Sequence, residues 1–195
     1  MRIGEALGLE IGKHISADFR TLTIAQKVRH CIVGDRVKNE NAERQIDLHP
    51  SVSELLRKFV GKRASGFLFQ SRNGKPIESS NIVRRHLHPA LKALGYVNQH
   101  TGDYKAGNHA FRRFRNTFMR NCTSCLDGLQ KFWLGHAGDT MTDLYDKVKE
   151  DQQFRLEWAE KCGIGFELPE FGLFDVPKRP NVPRKADMKK AASAA

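Results

Sequence analysis

The chain has 195 residues, 39% of them hydrophobic, with 33 Lys and Arg against 22 Asp and Glu, a formal net charge of +11. That length suits one domain, or one domain plus a tail, and the positive balance points to an anionic partner, with nucleic acid first among the candidates. No run of about 18 apolar residues occurs, so no transmembrane helix is expected, and the N-terminal MRIGEALGLEIGKH lacks the apolar stretch of a secretory signal.

Residues 2–9 place Ile3, Ala6 and Leu7 at helical spacing, with Gly8 as an end signal and Arg2 and Glu5 one turn apart. A β-prone section follows. Phe19–Ala25 alternates, Val28–Val33 reads as a second strand ended or bulged at Gly34-Asp35, and Arg44–Leu48 reads as a third. The polar run Lys38-Asn39-Glu40-Asn41 lies between, which puts Lys38 on or beside a hairpin tip. Ser51 and Glu54 form a capping box for a helix to about Val60, with Val52, Leu55, Leu56 and Phe59 inward. Phe67-Leu68-Phe69 is a short buried segment, and Arg72–Pro76 is a turn. Ser79 or Ser80 caps a helix to about Leu94 that Pro89 should kink or divide, with Ile82, Val83, Leu87, Ala90 and Leu91 inward and Gly95 ending it.

A polar loop over residues 96–108 leads to a helix from His109 to about Asn121. Phe111, Phe114 and Phe118 recur along one stripe, which is expected to be core. His109, Arg112 and Arg113 then fall on roughly the opposite face, toward a cleft or solvent. Leu126–Leu134 is another helix with Phe132 and Trp133 buried, Thr140 caps a short helix carrying Tyr145, and Asp151 to about Cys162 is helical. From Gly163 prolines and basic residues dominate, so the chain divides into a domain over 1–162 and a flexible basic tail over 163–195 able to touch a phosphate backbone. Of the four cysteines, only Cys122 and Cys125 are close in sequence. A zinc site would need two further ligands at a sensible spacing, so the thiols read as free in a reducing cytoplasm.

Two polar clusters stand out, His109-Ala110-Phe111-Arg112-Arg113 and Leu134-Gly135-His136 with Tyr145 nine residues after the histidine. They supply a tyrosine hydroxyl, two imidazoles and guanidinium groups. That inventory suits phosphoryl transfer to tyrosine with the phosphate charge neutralised by arginine.

In order, Arg2 with Glu5 and Leu9, Lys38 before Arg44-Gln45-Ile46, His109-x-x-Arg112, Leu134-Gly135-His136 and Tyr145 resemble the boxes of the tyrosine recombinases, the phage-integrase family. The resemblance runs over residues 2–150 and implies an α+β fold, mostly helical, with a small antiparallel sheet. It implies site-specific recombination or integration of double-stranded DNA through a 3′-phosphotyrosine, with neither metal nor ATP as cofactor. Tyr145 would be the nucleophile, Arg2 and Arg112 the phosphate ligands, Lys38 the acid for the leaving oxygen, and His109 would assist proton transfer from Tyr145. His136 would bond the phosphate and Glu5 would orient its neighbours. A prokaryotic or phage-encoded homotetramer acting on two duplexes, away from membranes, in the cytoplasm at the nucleoid, is the implied setting. Relatives place helices and a DNA-clamping domain before the first arginine. A chain starting immediately before Arg2 is therefore expected to be a truncated or remnant copy, or to start at an internal Met, with Arg2 in a frayed turn. A noncatalytic DNA-binding remnant and a type IB topoisomerase-like nicking-closing enzyme are the alternative readings.

Overall fold

The computed structural model describes residues 1–34, 43–98, 100–136 and 150–168. Lys38, Thr140 and Tyr145 lie outside the described residues. The order of elements is α1 (Ile3–Leu7), β1 (Glu10–Ile11), β2 (Thr21–Ile24), β3 (Lys27–Arg29), β4 (Ile32–Gly34), β5 (Arg44–Asp47), α2 (Pro50–Val60), β6 (Gly66–Phe67), α3 (Ser79–Ile82), α4 (His88–Ala93), α5 (His109–Cys122), α6 (Asp127–Leu134) and α7 (Gln152–Cys162). The fold is α+β, with short antiparallel strand pairs among helices, as expected. The pairs are β1 with β6, β2 with β5, and β3 with β4, and the register of the second sets Ile24 opposite Arg44 and Thr21 opposite Asp47.

Several local expectations need correction. Val28–Val33 is a hairpin, not one strand. The chain reverses at His30 and Cys31, both with positive φ (52° and 61°), as the two-residue turn that matches strand twist requires. That turn has no glycine to announce it. Helix α2 is capped by His49, whose Nδ1 accepts from the Ser51 amide, with Pro50 in the first turn, so Ser51 lies inside the helix. The stretch from Ser79 to Ala93 is divided as expected, but before Pro89 rather than at it. A π-turn over Val83–Leu87 separates α3 from α4 and absorbs the proline, whose nitrogen has no proton to give. Ala90, expected inward, is exposed. Gly8 does close α1, but for packing rather than left-handedness, because a Cβ there would meet the Gln26 carbonyl oxygen at 2.9 Å.

Two cores form. Leu9, Ile11, Leu22, Ile24, Leu48, Val60 and Leu68 pack the strands against α2. Met119, Leu129, Phe132, Trp133, Leu134 and Ala159 pack α5, α6 and α7 together. Strand β5 joins the two, since Asp47 pairs with buried Arg155 of α7 at 2.9 Å and accepts from the Trp133 indole at 2.9 Å.

The largest correction concerns α5. Phe111 and Phe114 are 65% and 46% exposed, so the phenylalanine stripe is not core. The inward face carries Arg112, Asn116 and Met119, and only Met119 is fully buried. Gln130 donates to both the Asn116 backbone carbonyl and its side-chain oxygen, at 3.0 and 2.7 Å. Hydrogen-bonded polar groups thus take the inner face, which aromatic periodicity cannot show. Residues after α7 lie along the phenylalanines, with Phe166 6.2 Å from Phe114 and Arg115 donating to the Gly163 carbonyl at 2.6 Å.

Candidate anion-binding site

Arg2 caps α1 in an extended conformation, and its backbone N–H donates to the Glu5 carboxylate at 2.6 Å, the return half of a capping box. Its guanidinium meets the other Glu5 oxygen at 3.0 Å and remains 48% exposed. Arg2 is therefore tied down at the head of its helix rather than frayed. Glu5 is buried, and Arg44 of β5 donates to it at 2.9 Å. Burial by itself would raise the Glu5 carboxyl. The bonds from Arg44, then from the Arg2 amide, outweigh it and hold the group below its ordinary range.

The second wall comes from α5 and α6. Helix α6 ends at Leu134, and Gly135 turns left-handed with φ 63°, closing the helix by backbone bonds to Lys131 and Phe132. Any Cβ there would lie 2.9 Å from the Arg44 guanidinium carbon, so position 135 needs glycine twice over. Arg44 also donates from Nε to the Trp133 carbonyl at 2.9 Å. From α5, Arg112 reaches under this turn to the Leu134 carbonyl and to His136 Nε2 at 3.1 Å. A ring nitrogen that accepts from a guanidinium must be unprotonated, so His136 is neutral here. Its proton affinity is lowered by burial first, then by Arg112, Arg2 and Arg44. Arg112 is itself lowered by burial and then by Arg2, yet stays a cation.

Among the described residues, Arg112 Nη1 is the buried side-chain polar atom that finds no hydrogen-bond partner. A buried unsatisfied donor costs about 1–3 kcal/mol. Among the described residues, three guanidinium groups and an imidazole converge here on the Glu5 carboxylate. Such a cluster attracts an anion, and two arginine forks suit the oxygens of a tetrahedral phosphate.

Of the residues read from sequence, Arg2, Glu5, Arg112 and His136 are brought together. His109 opens α5, one turn before Arg112, exposed and with no side-chain hydrogen bond to any described residue. Lys38 and Tyr145 fall outside the described residues. Arg44 escaped the sequence reading. It sits in a β-prone run that carries no sign of which side chains are buried, and only its burial in the pair of β5 with β2 shows that it points inward. Among the described residues no group of three metal-ligating side chains forms, and no helix is long and apolar enough to cross a membrane.

The family model that matches the chain, over residues 1–152, is that of the phage integrase family. No curated protein sequence matches it. Among solved structures, the Tn1549 transposon integrase in complex with circular intermediate DNA aligns with a TM-score of 0.57 and 19% identity, covering 80% of this chain and 56% of that one. A tyrosine-to-phenylalanine variant of that integrase, in complex with transposon right-end DNA, aligns with a TM-score of 0.57 and 18% identity, over 82% and 53%. The chain thus spans little more than half the length of these proteins, and at such identities the likeness speaks for the fold.

Proposed function

This chain belongs to the phage integrase family, and from that premise we propose that it is the catalytic domain of a tyrosine recombinase, acting on double-stranded DNA through a 3′-phosphotyrosine. The observation that carries the reading is Arg112 Nη1, without a hydrogen-bond partner among the described residues and buried beside Arg2 and His136 in a cluster that holds the Glu5 carboxylate. Its charge and donor geometry fit a phosphodiester. The net charge of +11 supports a polyanionic partner.

In this mechanism the Tyr145 oxygen attacks the scissile phosphorus, a new O–P bond forms, and the bond to the 5′-oxygen breaks. His109 takes the tyrosine proton, and Lys38 gives one to the departing 5′-oxygen. Arg2 and Arg112 hold the nonbridging oxygens as charge grows on the pentacoordinate phosphorus, and His136 bonds the same group. Glu5 orients Arg2. The phosphotyrosine keeps the energy of the broken bond, so rejoining to a second 5′-hydroxyl needs no nucleotide and no metal. Strand exchange between two duplexes calls for four copies of the chain, each supplying one tyrosine. The unit that does this is residues 1–162, with Gly163 and Phe166 packed on α5 and the basic residues further along 163–195 as a tail on the DNA backbone, and the work is done at the nucleoid.

A nicked suicide duplex tests the proposal. The expected result is a covalent protein–DNA band on a denaturing gel that disappears in Tyr145→Phe. Tight DNA binding with no such band would make the chain a noncatalytic DNA-binding remnant. Sequence-independent plasmid relaxation would make it a nicking-closing enzyme.

A further inference from the structure

Arg44 lies on β5 and is 5% exposed. Its fork nevertheless meets both walls of the anion site. On one side Nη2 holds Glu5 Oε2 at 2.9 Å, and Glu5 holds the Arg2 amide through that same oxygen and the Arg2 guanidinium through the other. On the other side Nε holds the Trp133 carbonyl, one residue before the carbonyl that takes Arg112 and two before Gly135, which packs on the guanidinium. Helix α1 with Arg2, and the α6 end with Arg112 and His136, are therefore linked by one planar side chain.

We propose that Arg44 is the positioning residue of this site: it sets the distance between Arg2 and the Arg112–His136 pair so that both sides close on one phosphate. The assignment rests on the function proposed above. Lysine cannot replace it, because an ammonium is a point charge and offers no rigid fork with two separated donors. A neutral residue would leave Glu5 buried with one partner fewer. Arg44 also adds a positive charge behind the site, which acts on His136 together with Arg112 and Arg2.

The test compares Arg44→Lys, Arg44→Met and Gly135→Ala in the full chain, with Leu68→Ala, a cavity in the other core, as a control for lost stability. Gly135→Ala keeps Arg44 but pushes its guanidinium aside. Single-turnover cleavage of the suicide duplex, corrected for folded fraction, should fall about 100-fold in Arg44→Lys and Gly135→Ala, the loss typical of a reacting group held about 1 Å out of place. Affinity for the duplex should stay within about twofold, because the rest of the backbone contacts survive. Leu68→Ala should cleave at the wild-type rate per folded molecule. In Arg44→Met the His136 ring should titrate at higher pH than in the wild type, while in Leu68→Ala it should not move. Wild-type rates in Arg44→Lys and Gly135→Ala, or an equal loss in Leu68→Ala, would overturn the assignment. If the wild type forms no adduct, the proposed function fails separately. The assignment is then read from inorganic phosphate titrated against the His136 resonance, where at least tenfold weaker binding in Arg44→Lys supports it and unchanged binding sinks it.

Discussion

Arg112 bonds with one nitrogen of its fork and leaves the other, Nη1, buried and unpaired among the described residues. Arg112→Gln removes the donor and its charge, and adduct formation should drop about 10²–10³-fold, the cost of losing one preorganised donor to a transition-state oxyanion. Glu5 carries a structural burden instead. Glu5→Gln breaks a buried pair and should cost about 3–5 kcal/mol in urea unfolding. Its pH signature has a definite sign. The native carboxyl sits below its unfolded value of 4.5, so between the two the unfolded chain binds more protons. Stability is full above about pH 4.5 and falls as the pH drops toward the native value, and this acid limb should flatten in Glu5→Gln. His136 behaves in the same sense. Its native value lies below 6.5, so stability from this group declines as pH falls through 6.5. A bound phosphate reverses the balance and should raise the His136 titration, measured by NMR with and without DNA. Arg2, Glu5, Arg112 and His136 were legible because their order and spacing survive in the linear chain. Arg44 was not, because what defines it is the strand beside it.

At the level of elements, α5 separates periodicity from orientation. The phenylalanine repeat correctly marked a helix, yet the sequence carries no sign of which face looks inward. Phe111→Ala, at an exposed site, should change stability by less than about 0.5 kcal/mol. Met119→Ala, at 2% exposure, should cost about 2–5 kcal/mol. Thermal or urea unfolding of the two variants distinguishes a core stripe from a surface one. The β3–β4 hairpin shows a similar limit. Residues with β propensity on both sides of His30-Cys31 hide a turn whose φ values glycine or asparagine would have announced. The π-turn before Pro89 is a register adjustment, which composition alone does not encode.

At the scale of the molecule, β5 joins two cores through Asp47, which holds both Arg155 and Trp133. Asp47→Asn should lower stability by about 3–5 kcal/mol and loosen α7 in hydrogen exchange before the β2–β5 pair. The basic surface has its own signature. Duplex affinity should fall steeply with salt. Replacing an exposed cation that neutralises a phosphate, with Arg84→Gln as the trial, should make the log–log slope shallower by about 0.9.

The sequence by itself determined what depends on neighbours along the chain: the helices with their spacing, the basic balance, and the ordered boxes that mark the family. Those signals are local, written in periods of two and 3.6 residues and in residue chemistry. Tertiary structure alone decided which face of α5 is inward, that Arg2 and His136 share one site, and that a buried arginine on β5 stands between them. These depend on strand register and on hydrogen bonds between residues up to 89 positions apart, and no local pattern carries them.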